Sequence, residues 1–418
     1  MKPIGIIGGG LAGLMAALRL SQNGRPVRIF EARDTLGGRA MTLGHGALTI
    51  ELGPEFVQGT PQSTLSLSKE VGVSLRPVRD RHYQHDGRRF RSMRDPWKRF
   101  AKLLKHVDHE ASAADYLRER ALDGADAALF HLMIEGVQAA ALDDVSIARV
   151  ALEAQEAVEE EGQFRPEGGF GAIVHEIAKR LDPDLVRIDL GAVVREVHWH
   201  PDGDCVFTIH RNGGYEQQVE TDCCVVAVPV SVLKDAEVLR FVPELASKSR
   251  ALSLLTMGHV EKLIFEFQNA EWMDHLPNAD FIHPAEGAFP TFWREDPTAT
   301  DKLVAWAAGP RAQRLQSLDL AEKIEQAITQ LAQMCEVPPA KIRDSVVTVS
   351  HHDYSRDPFS NGAYPYAHPG GSQSPKELAT PLGRALHFAG DATSMDHFAT
   401  IAGALSSGTR VAREILMQ

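Results

Sequence analysis

Short apolar runs that stop at glycines organise the beginning of the chain. Ile4–Ile7 is a continuous apolar run, which is typical of a strand buried on both faces. A helical pattern follows over residues 11–22 and stops at an Asn-Gly pair, and a second apolar run covers Val27–Phe30. This order predicts a strand–helix–strand unit of a parallel sheet, with Glu31 at the end of its second strand.

Helical and strand-like patterns alternate along the rest of the chain without an internal repeat. Residues 110–161 are rich in Ala, Leu and Glu and favour helices. Further strands are predicted over 186–199, 204–210, 223–228, 260–267 and 386–389, and a last helix over 401–416. Because elements typical of a nucleotide-binding sheet stand at both ends, the sequence predicts a discontinuous nucleotide domain with a second domain inserted.

The glycines after the first strand follow the spacing G-x-G-x-x-G. Gly8 permits a tight turn, Gly10 lets backbone approach a pyrophosphate, and Gly13 lets the helix pack closely on the strand. The helix N-terminus supplies unpaired N–H groups, and Glu31 is placed to accept hydrogen bonds from a ribose. The pattern predicts a cofactor that contains ADP, and it leaves NAD and FAD both open.

The segment that follows Glu31 adds further cofactor contacts. Gly37 and Gly38 let the backbone pass close to a cofactor, and Arg39 can pair with its pyrophosphate as a charge-assisted donor.

Lys262 interrupts an otherwise apolar strand pattern. Alternation places Leu263, Phe265 and Phe267 on one face of the strand, and Lys262 on the other face between Val260 and Ile264. A surface lysine that extends its ammonium into water and a functional lysine in an apolar setting both fit this pattern.

Composition excludes several classes of protein. Lys and Arg number 44 against 56 Asp and Glu, and the resulting charge of −12 argues against a nucleic-acid partner. The four cysteines include no C-x-x-C pair, so we expect neither a disulfide framework nor a metal site. The apolar stretch at residues 4–20 is broken by glycines and is short for a membrane span. We therefore expect a soluble, cytoplasmic protein that binds no membrane.

Several segments in order resemble the flavin-containing amine oxidase family, which includes monoamine, polyamine and L-amino-acid oxidases. Beside the glycine fingerprint they are EARDTLGGR at 31–39, ELGPEF at 51–56, RPEGGF at 165–170, VVREV at 193–197, AVP at 227–229 with Leu233, HFAGDAT at 387–393 and AGALSSG at 402–408. The resemblance covers nearly the whole chain. It implies an α/β fold, with a discontinuous Rossmann-like FAD-binding domain and a mixed α+β substrate-binding domain.

The resemblance also implies which residues contact FAD. They are Gly8, Gly10, Leu11, Ala12, Gly13, Glu31, Ala32, Arg33, Gly37, Gly38, Arg39, Gly53, Pro54, Glu55, Phe56, Val194, Pro229, Gly390, Asp391, Thr400, Ile401 and Ala404. The loop 53–56 is expected along the isoalloxazine ring, Val194 at the adenine and Asp391 at the ribityl–phosphate region. The N–H groups near Thr400 and Ile401 are expected to face the flavin N1–C2=O2 edge.

Three catalytic residues are implied by the same resemblance: Lys262, Tyr364 and Thr400. The family has a lysine in this strand, which holds a water near flavin N5, and Tyr364 matches one wall of its aromatic cage. Thr400 stands where the second cage aromatic is expected, and Tyr354 stands where a Trp is usual. Ala363 replaces the cysteine that links covalently to flavin in some members, so we expect noncovalent FAD.

The domain boundaries follow from the positions of these segments. Residues 1–75, 165–245 and 361–418 are assigned to the FAD-binding domain, and residues 76–164 and 246–360 to the substrate domain.

We expect an FAD-dependent oxidase that takes hydride from the carbon next to nitrogen, with dioxygen as the second substrate. The first substrate is a small amine or an amino acid. An FAD-dependent desaturase or protoporphyrinogen-type oxidoreductase and a noncatalytic nucleotide-binding protein remain alternatives, and the oligomeric state is open.

Two further features are expected to belong to the solvated surface. The basic segment 76–105 is interpreted as a hairpin and helix face in water rather than a site for an anionic partner. The second feature is a set of closely spaced histidine pairs that lack a third ligand, namely His106/His109, His198/His200 and His351/His352.

Overall fold

The computed structural model describes residues 1–44, 49–211, 214–294 and 302–418. The strands, in chain order, are β1 (Ile4–Ile7), β2 (Val27–Phe30), β3 (Thr42–Leu43), β4 (Ile50–Glu51), β5 (Val57–Gln58), β6 (Leu75–Pro77), β7 (His82–His85), β8 (Phe90–Met93), β9 (Gln163–Pro166), β10 (Val186–Asp189), β11 (Ala192–His200), β12 (Gly203–Arg211), β13 (Tyr215–Thr221), β14 (Cys224–Val226), β15 (Arg240–Val242), β16 (Leu255–Met257), β17 (Val260–Phe267), β18 (Phe281–Pro284), β19 (Thr291–Arg294), β20 (Lys302–Ala308), β21 (Val346–Ser350), β22 (Pro365–Ala367) and β23 (Leu386–Phe388).

The helices, in chain order, are α1 (Leu11–Ser21), α2 (Gln62–Val71), α3 (Pro96–Leu103), α4 (Ala113–Glu119), α5 (Gly124–Val137), α6 (Ile147–Glu159), α7 (Gly169–Lys179), α8 (Val230–Lys234), α9 (Ser249–Ser253), α10 (Pro310–Leu315), α11 (Leu320–Cys335), α12 (Pro339–Arg343), α13 (Ser374–Ala379) and α14 (Ile401–Leu416). Short 3₁₀ helices lie at Ala246–Lys248, Glu271–His275 and Asp391–Thr393.

The chain divides into two compact units. The first contains Met1–Arg76, Phe164–Met257 and Arg356–Gln418, and the second contains Pro77–Gln163 and Gly258–Ser355. Residues 76, 164, 246–257 and 356–360, which we expected in the substrate domain, lie in the first unit. Strand pairing explains the position of residues 246–257, because β16 forms an antiparallel pair with the distant strand β22 inside that unit.

A five-stranded parallel sheet forms the centre of the first unit, in the order β10-β2-β1-β14-β23. β1 is fully buried, as its continuous apolar run predicts. Helices α1 and α14 pack against each other, and a Cβ at Gly408 would overlap the Ala12 carbonyl, so glycine allows the close crossing. A second, four-stranded sheet of this unit has the order β13-β12-β11-β15.

A seven-stranded sheet forms the second unit, in the order β21-β17-β20-β19-β18-β7-β8. Leu263, Phe265 and Phe267 of β17 join one hydrophobic core with residues of α11, as the alternation predicts. By the same period of two, Glu261 lies on that core face, and its charged side chain is buried there. Lys262 lies on the opposite face of the strand.

The basic segment forms the predicted hairpin, β7 with β8, followed by helix α3. The exposed basic side chains of this segment include Arg88, Arg89, Arg91, Arg94 and Lys98.

The predicted surface histidines fall into two groups. His106, His109, His198 and His200 are exposed, as expected. His351 and His352 are half-buried, so the prediction was wrong for this pair, and His351 bonds to a buried carboxylate. Among the described residues, no helix combines the length and the apolar character that crossing a bilayer requires.

Candidate active site

The carboxyl ends of three strands of the parallel sheet carry most of the predicted cofactor residues. β1 leads into Gly8, β2 leads into Glu31, and β23 leads into Gly390 and Asp391. In an open parallel sheet, ligands bind outside the carboxyl ends of the strands, where the strand order reverses. The order of this sheet reverses at β1, so these residues occupy the expected place.

The N-terminus of α1 faces outward from this edge. Gly10 is the N-cap residue, so no side chain caps the first-turn N–H groups of Leu11, Ala12 and Gly13, and that turn contains no acid. Gly8 has a φ of +105°, which favours glycine, and a Cβ at Gly13 would overlap the Gly8 carbonyl. The turn is therefore built from glycines for steric reasons, and its helix end is suited to an anion.

Glu31 is held in place by two backbone amides. Its Oε2 accepts a hydrogen bond from the Gly9 N–H at 2.7 Å, and its Oε1 accepts one from the Arg33 N–H at 2.9 Å. The side chain is 4% exposed. Each carboxylate oxygen can accept a second hydrogen bond, so Glu31 retains acceptors for ribose hydroxyls.

Ala32 and Arg33 follow Glu31 in the loop after β2. The Arg33 guanidinium donates to both carboxylate oxygens of Asp357 at 2.8 Å and to the Ser360 hydroxyl at 2.9 Å. The segment beside Glu31 is thereby tied to the loop that precedes Tyr364.

The loop around Gly37 and Gly38 folds onto the glycine turn. Both residues have positive φ, +110° and +60°, and Gly37 bridges to Gly10. A Cβ on Gly38 would lie 3.3 Å from the Gly10 Cα, so a side chain there would crowd the turn, and a Cβ on Gly37 would lie 2.8 Å from the Ala40 carbonyl oxygen.

Arg39 binds Asp391 rather than standing alone. Its Nη2 donates to Oδ1 at 2.7 Å, and its Nη1 donates to Oδ2 at 2.9 Å and to the Ala363 carbonyl at 2.9 Å. The sequence assigned these two side chains separately to the pyrophosphate and to the ribityl–phosphate region. The structure brings them together with the backbone beside Tyr364.

The loop Gly53–Phe56 is fixed by Arg165. The Arg165 guanidinium donates to Glu55 Oε1 at 2.8 Å and lies 4.5 Å from the centre of the Phe56 ring. Glu55 is buried, and Gly53, Pro54 and Phe56 are half-buried.

The N-terminus of α14 is capped by Thr400. Its hydroxyl accepts from the Gly403 N–H at 3.2 Å and donates to the His397 carbonyl at 2.7 Å. Ile401 and Ala404 lie in the first turn of the helix and are half-buried. Thr400 therefore has a clear local role as a helix cap, whereas its predicted catalytic role stays a prediction.

The remaining cofactor residues of the first unit flank the parallel sheet. Val194 is buried in β11, whose first residue, Ala192, donates its N–H to the Glu31 carbonyl at 2.8 Å. Pro229 is the N-cap of α8, three residues after the end of β14.

Tyr364 is half-buried, and burial raises the pKa of its hydroxyl well above the ordinary value, so the phenol is neutral.

Lys262 lies in the second unit. It is 5% exposed, pairs with Trp306 across β17 and β20, and its ammonium is 5.6 Å from the centre of the Trp293 ring. This is a buried lysine in an aromatic setting, so the surface alternative is excluded. Tyr354 of the same unit is also buried.

Sequence reasoning missed a buried charged cluster beside Lys262. Glu261 is 1% exposed, and its carboxylate binds the Lys323 ammonium at 2.7 Å and the His351 Nε2 at 2.9 Å. The signal was present, because Glu261 falls on the apolar face of β17 and an acid there requires a partner. The partners could not be named, since they lie 62 and 90 positions away.

FAD fits the residues of the first unit. The first-turn amides of α1 are suited to a pyrophosphate, and Glu31 retains acceptors for a ribose. A Cβ at Gly390 would meet nothing within 4 Å, and one at Gly10 nothing nearer than 3.8 Å, so backbone is open to a ligand at both positions. Among the described residues, no group of three or more His, Cys, Asp or Glu side chains could hold a metal ion.

Curated relatives match almost the entire chain. Lysine-specific histone demethylase 1 homolog 2 of Oryza sativa subsp. japonica is 26% identical over 98% of this chain. Polyamine oxidase 4 of the same organism is 28% identical over 99% of it. The chain spans 56% of that demethylase and 89% of that polyamine oxidase, and about half of the other demethylase relatives.

Solved structures share the fold. Wild-type putrescine oxidase bound to putrescine superposes with a TM-score of 0.83 at 20% identity, and covers 100% of this chain and 99% of its own. Cyclohexylamine oxidase from Brevibacterium oxydans IH-35A gives 0.81 at 17% identity, with the same coverage. The predicted α/β fold class is confirmed.

The family model described as flavin containing amine oxidoreductase matches residues 11–416. The match covers helix α1, the 31–39 segment and the carboxyl-terminal helix that the sequence singled out. The chain therefore belongs to the flavin-containing amine oxidoreductase family, and its cofactor is FAD.

Proposed function

We propose that the protein is an FAD-dependent oxidase of amine-type substrates. The substrate loses two electrons and a proton as hydride from the carbon next to nitrogen, and the resulting imine is hydrolysed by water. Dioxygen accepts the electrons and leaves as hydrogen peroxide. The observation that carries the proposal is the buried Lys262 in its aromatic setting, in a chain of the amine oxidoreductase family.

The residues of the first unit hold the cofactor in this proposal. The α1 N-terminus binds the pyrophosphate, Glu31 accepts from the ribose, and Val194 lies at the adenine. When bound, FAD supplies the hydride acceptor and the route of electrons to dioxygen. Ala363 offers no thiol for a covalent bond to flavin, so binding is noncovalent.

The α14 N-terminus and the Arg39–Asp391 pair position the reacting end of the cofactor. The N–H groups near Thr400 and Ile401 place a positive dipole end where negative charge develops during reduction. Arg39 fixes Asp391 and the carbonyl of Ala363, and so sets the position of the neighbouring Tyr364. Tyr364, a neutral phenol, then presents a ring face to the amine.

Lys262 is proposed to hold the water that the family resemblance implies. Trp293 and Trp306 provide apolar surface beside Lys262. This surface favours the neutral form of the substrate amine, because desolvation disfavours the substrate's ammonium form. A neutral amine is the form that can give up hydride.

The relatives agree with this chemistry and widen the choice of substrate. The names of the matched proteins include a polyamine oxidase, a putrescine oxidase, a cyclohexylamine oxidase and histone lysine demethylases. Each name implies oxidation next to an amine nitrogen or on a methylated lysine. No arginine is assigned to a substrate carboxylate, so simple amines and amino acids both belong in the test.

Product analysis separates this proposal from its alternatives. The purified holoprotein is incubated in air with putrescine, a longer polyamine, cyclohexylamine, a dimethyl-lysine peptide and a set of amino acids. Equal yields of hydrogen peroxide and of aldehyde, ketone or keto acid from at least one compound support the proposal. A new carbon–carbon double bond in place of a carbonyl product would favour the desaturase or protoporphyrinogen-type alternative. Protein that is purified without flavin and takes up none would favour a noncatalytic nucleotide-binding role.

A further inference from the structure

Four side chains form a hydrogen-bonded line that runs across strands β7, β18 and β19 of the second unit's sheet. The Asp80 carboxylate lies 2.8 Å from His82 Nε2, and His82 Nδ1 lies 2.8 Å from His283 Nε2. His283 Nδ1 lies 3.1 Å from the Thr291 hydroxyl. The planes of the two imidazole rings are parallel within 5°, and the 2.8 Å contact joins a nitrogen of one ring to a nitrogen of the other.

The line runs from solvent into the interior. The Asp80 side chain is 37% exposed, whereas His82 and His283 are each 8% exposed. Among the described residues, the groups beside this pair do not include a free charge partner for His283: Phe281 stacks on His82, the Pro290 backbone carbonyl faces the His283 ring, and Asp280 binds Arg81.

Burial, and then the neighbouring His82, lower the pKa of His283 to about 3. His283 is therefore neutral at ordinary pH, with one ring nitrogen that donates and one that accepts. A neutral imidazole of this kind can take a proton at one nitrogen and release one at the other.

The inner end of the line lies on the face of the sheet that carries Lys262. Thr291 pairs with Trp306 across β19 and β20, and Trp306 pairs with Lys262 across β20 and β17. Paired residues of antiparallel strands share a face, so these three side chains form one cross-strand row. The Lys262 ammonium reaches toward Trp293, two residues along β19 from Thr291.

We propose that Asp80, His82, His283 and Thr291 form a proton relay between solvent and the face of the sheet that carries Lys262. The proposal rests on the function proposed above, because amines in water are ammonium ions that have to lose a proton before they can give up hydride. The relay moves that proton outward, and it provides a role for a histidine pair that the cofactor and Lys262 do not use.

The transfer balances bond by bond. An N–H bond of the substrate ammonium breaks, and its proton reaches the Thr291 oxygen as the Thr291 hydroxyl proton moves to His283 Nδ1 and the His283 Nε2 proton moves to His82 Nδ1. The His82 Nε2 proton then moves to the Asp80 carboxylate, which releases it to water. Reduction of dioxygen to hydrogen peroxide uses two electrons and two protons, of which the substrate hydride supplies both electrons and one proton. The second proton returns along the relay and restores the starting tautomers.

Thr291 provides a matched pair of variants. Thr291→Val removes the hydroxyl at nearly constant shape, and Thr291→Ser keeps it. The rate of anaerobic flavin reduction by an amine is measured against pH for both, together with flavin content and melting temperature. We expect Thr291→Val to be at least about tenfold slower than wild type while the amine is an ammonium ion, and to approach wild type as the pH nears the pKa of the amine. Thr291→Ser stays within about twofold throughout. A Thr291→Val profile that matches wild type, or one that is equally slow at every pH, would overturn the relay.

A second measurement needs no amine. The holoprotein is labelled with ¹⁵N-histidine, and exchange of the His82 and His283 ring protons with water is followed by NMR. Asp80→Asn can still accept a hydrogen bond but cannot take up a proton, so we expect exchange to slow by at least about tenfold. Asp86→Asn, in the turn of the same hairpin, is the control and leaves exchange unchanged. Equal exchange in Asp80→Asn and wild type would contradict the relay. Asp80-dependent exchange in a protein whose flavin no amine reduces would support the relay and reject the proposed function.

Discussion

The Arg39 guanidinium binds both carboxylate oxygens of Asp391, at 2.7 and 2.9 Å, although the two residues are 352 positions apart in sequence. This pair joins the loop after β2 to the loop after β23. Arg39 also donates to the Ala363 carbonyl, so the backbone beside Tyr364 is part of the same connection. The two ends of the chain therefore meet where the cofactor is proposed to bind.

Removal of Arg39 should destabilise the protein and weaken FAD binding. Asp391 is 7% exposed, and breaking a buried ion pair by removal of one partner costs about 3–5 kcal/mol. We expect Arg39→Met to lower the free energy of unfolding of the FAD-free protein by about 3 kcal/mol. Urea denaturation measures this change, and fluorescence titration measures FAD affinity.

Two further variants separate charge from geometry at this pair. Arg39→Met/Asp391→Asn removes the unpaired buried charge and should recover part of the lost stability. Arg39→Lys keeps the charge but not the two-point geometry, so it should fall between wild type and Arg39→Met. Equal stability of Arg39→Met and the double variant would contradict this account.

Replacement of Lys262 should affect the reaction and spare the cofactor. We expect Lys262→Met to retain bound FAD and to slow a flavin half-reaction by at least about tenfold, which corresponds to about 1.4 kcal/mol of barrier. Stopped-flow absorbance follows reduction and reoxidation separately. Lys302→Met is the matched control, because Lys302 is a buried lysine of the neighbouring strand that pairs with Glu266. Unchanged kinetics in Lys262→Met would remove Lys262 from the active site.

The Glu261–Lys323 pair should behave as a single buried unit. Lys323→Met leaves the Glu261 carboxylate with His351 as its remaining partner in this cluster, and we expect a loss of about 3 kcal/mol in unfolding free energy. The double variant Glu261→Gln/Lys323→Met should lose less than the sum of the two single variants. Additive losses in urea denaturation would show that the two side chains do not depend on each other.

Lys248 should make stability depend on alkaline pH. Its ammonium is buried, donates to the carbonyls of Glu377 and Thr380, and lies 4.9 Å from the centre of the Phe388 ring. Burial, and then the nearby Arg410, lower its pKa from 10.5 to about 8. Between these two values the unfolded chain keeps a proton that the folded protein has lost, so stability rises with pH in that window.

The measurement for Lys248 is a difference between variants. The unfolding free energy of wild type minus that of Lys248→Met should increase from pH 8 to pH 10.5 and stay level below pH 8. Lys376→Met, at an exposed lysine of α13, is the control and should show no such trend. A difference that stays constant or falls over this window would rule out the shifted pKa.

Local patterns were sufficient for much of the fold. The run Ile4–Ile7 and the helix Ile401–Leu416 have the bounds that the sequence predicts. The core face of β17 also follows from its period of two. Each of these predictions depends on residues that are close in sequence, because strand and helix periodicity act over a few residues.

Partners that are distant in sequence could not be predicted. The sequence pattern indicates only histidine pairs that are closely spaced along the chain. The hydrogen-bonded pair His82 and His283 is 201 positions apart, so the pattern could not indicate it. The ends of the second domain were also misplaced at residues 246–257, because the pairing of β16 with β22 depends on a strand more than 100 positions away. Such contacts are set by sheet topology, which no local pattern specifies.

Anaerobic titration of the bound flavin tests whether the protein oxidises amines. The holoprotein is mixed without oxygen with each compound of the amine and amino-acid panel, and the oxidised flavin absorbance is followed. We expect at least one amine to bleach the flavin with a stoichiometry of about one per cofactor, and dioxygen to restore the colour. A flavin that stays oxidised with every amine and amino acid, in protein that dithionite still reduces, would contradict the proposed function.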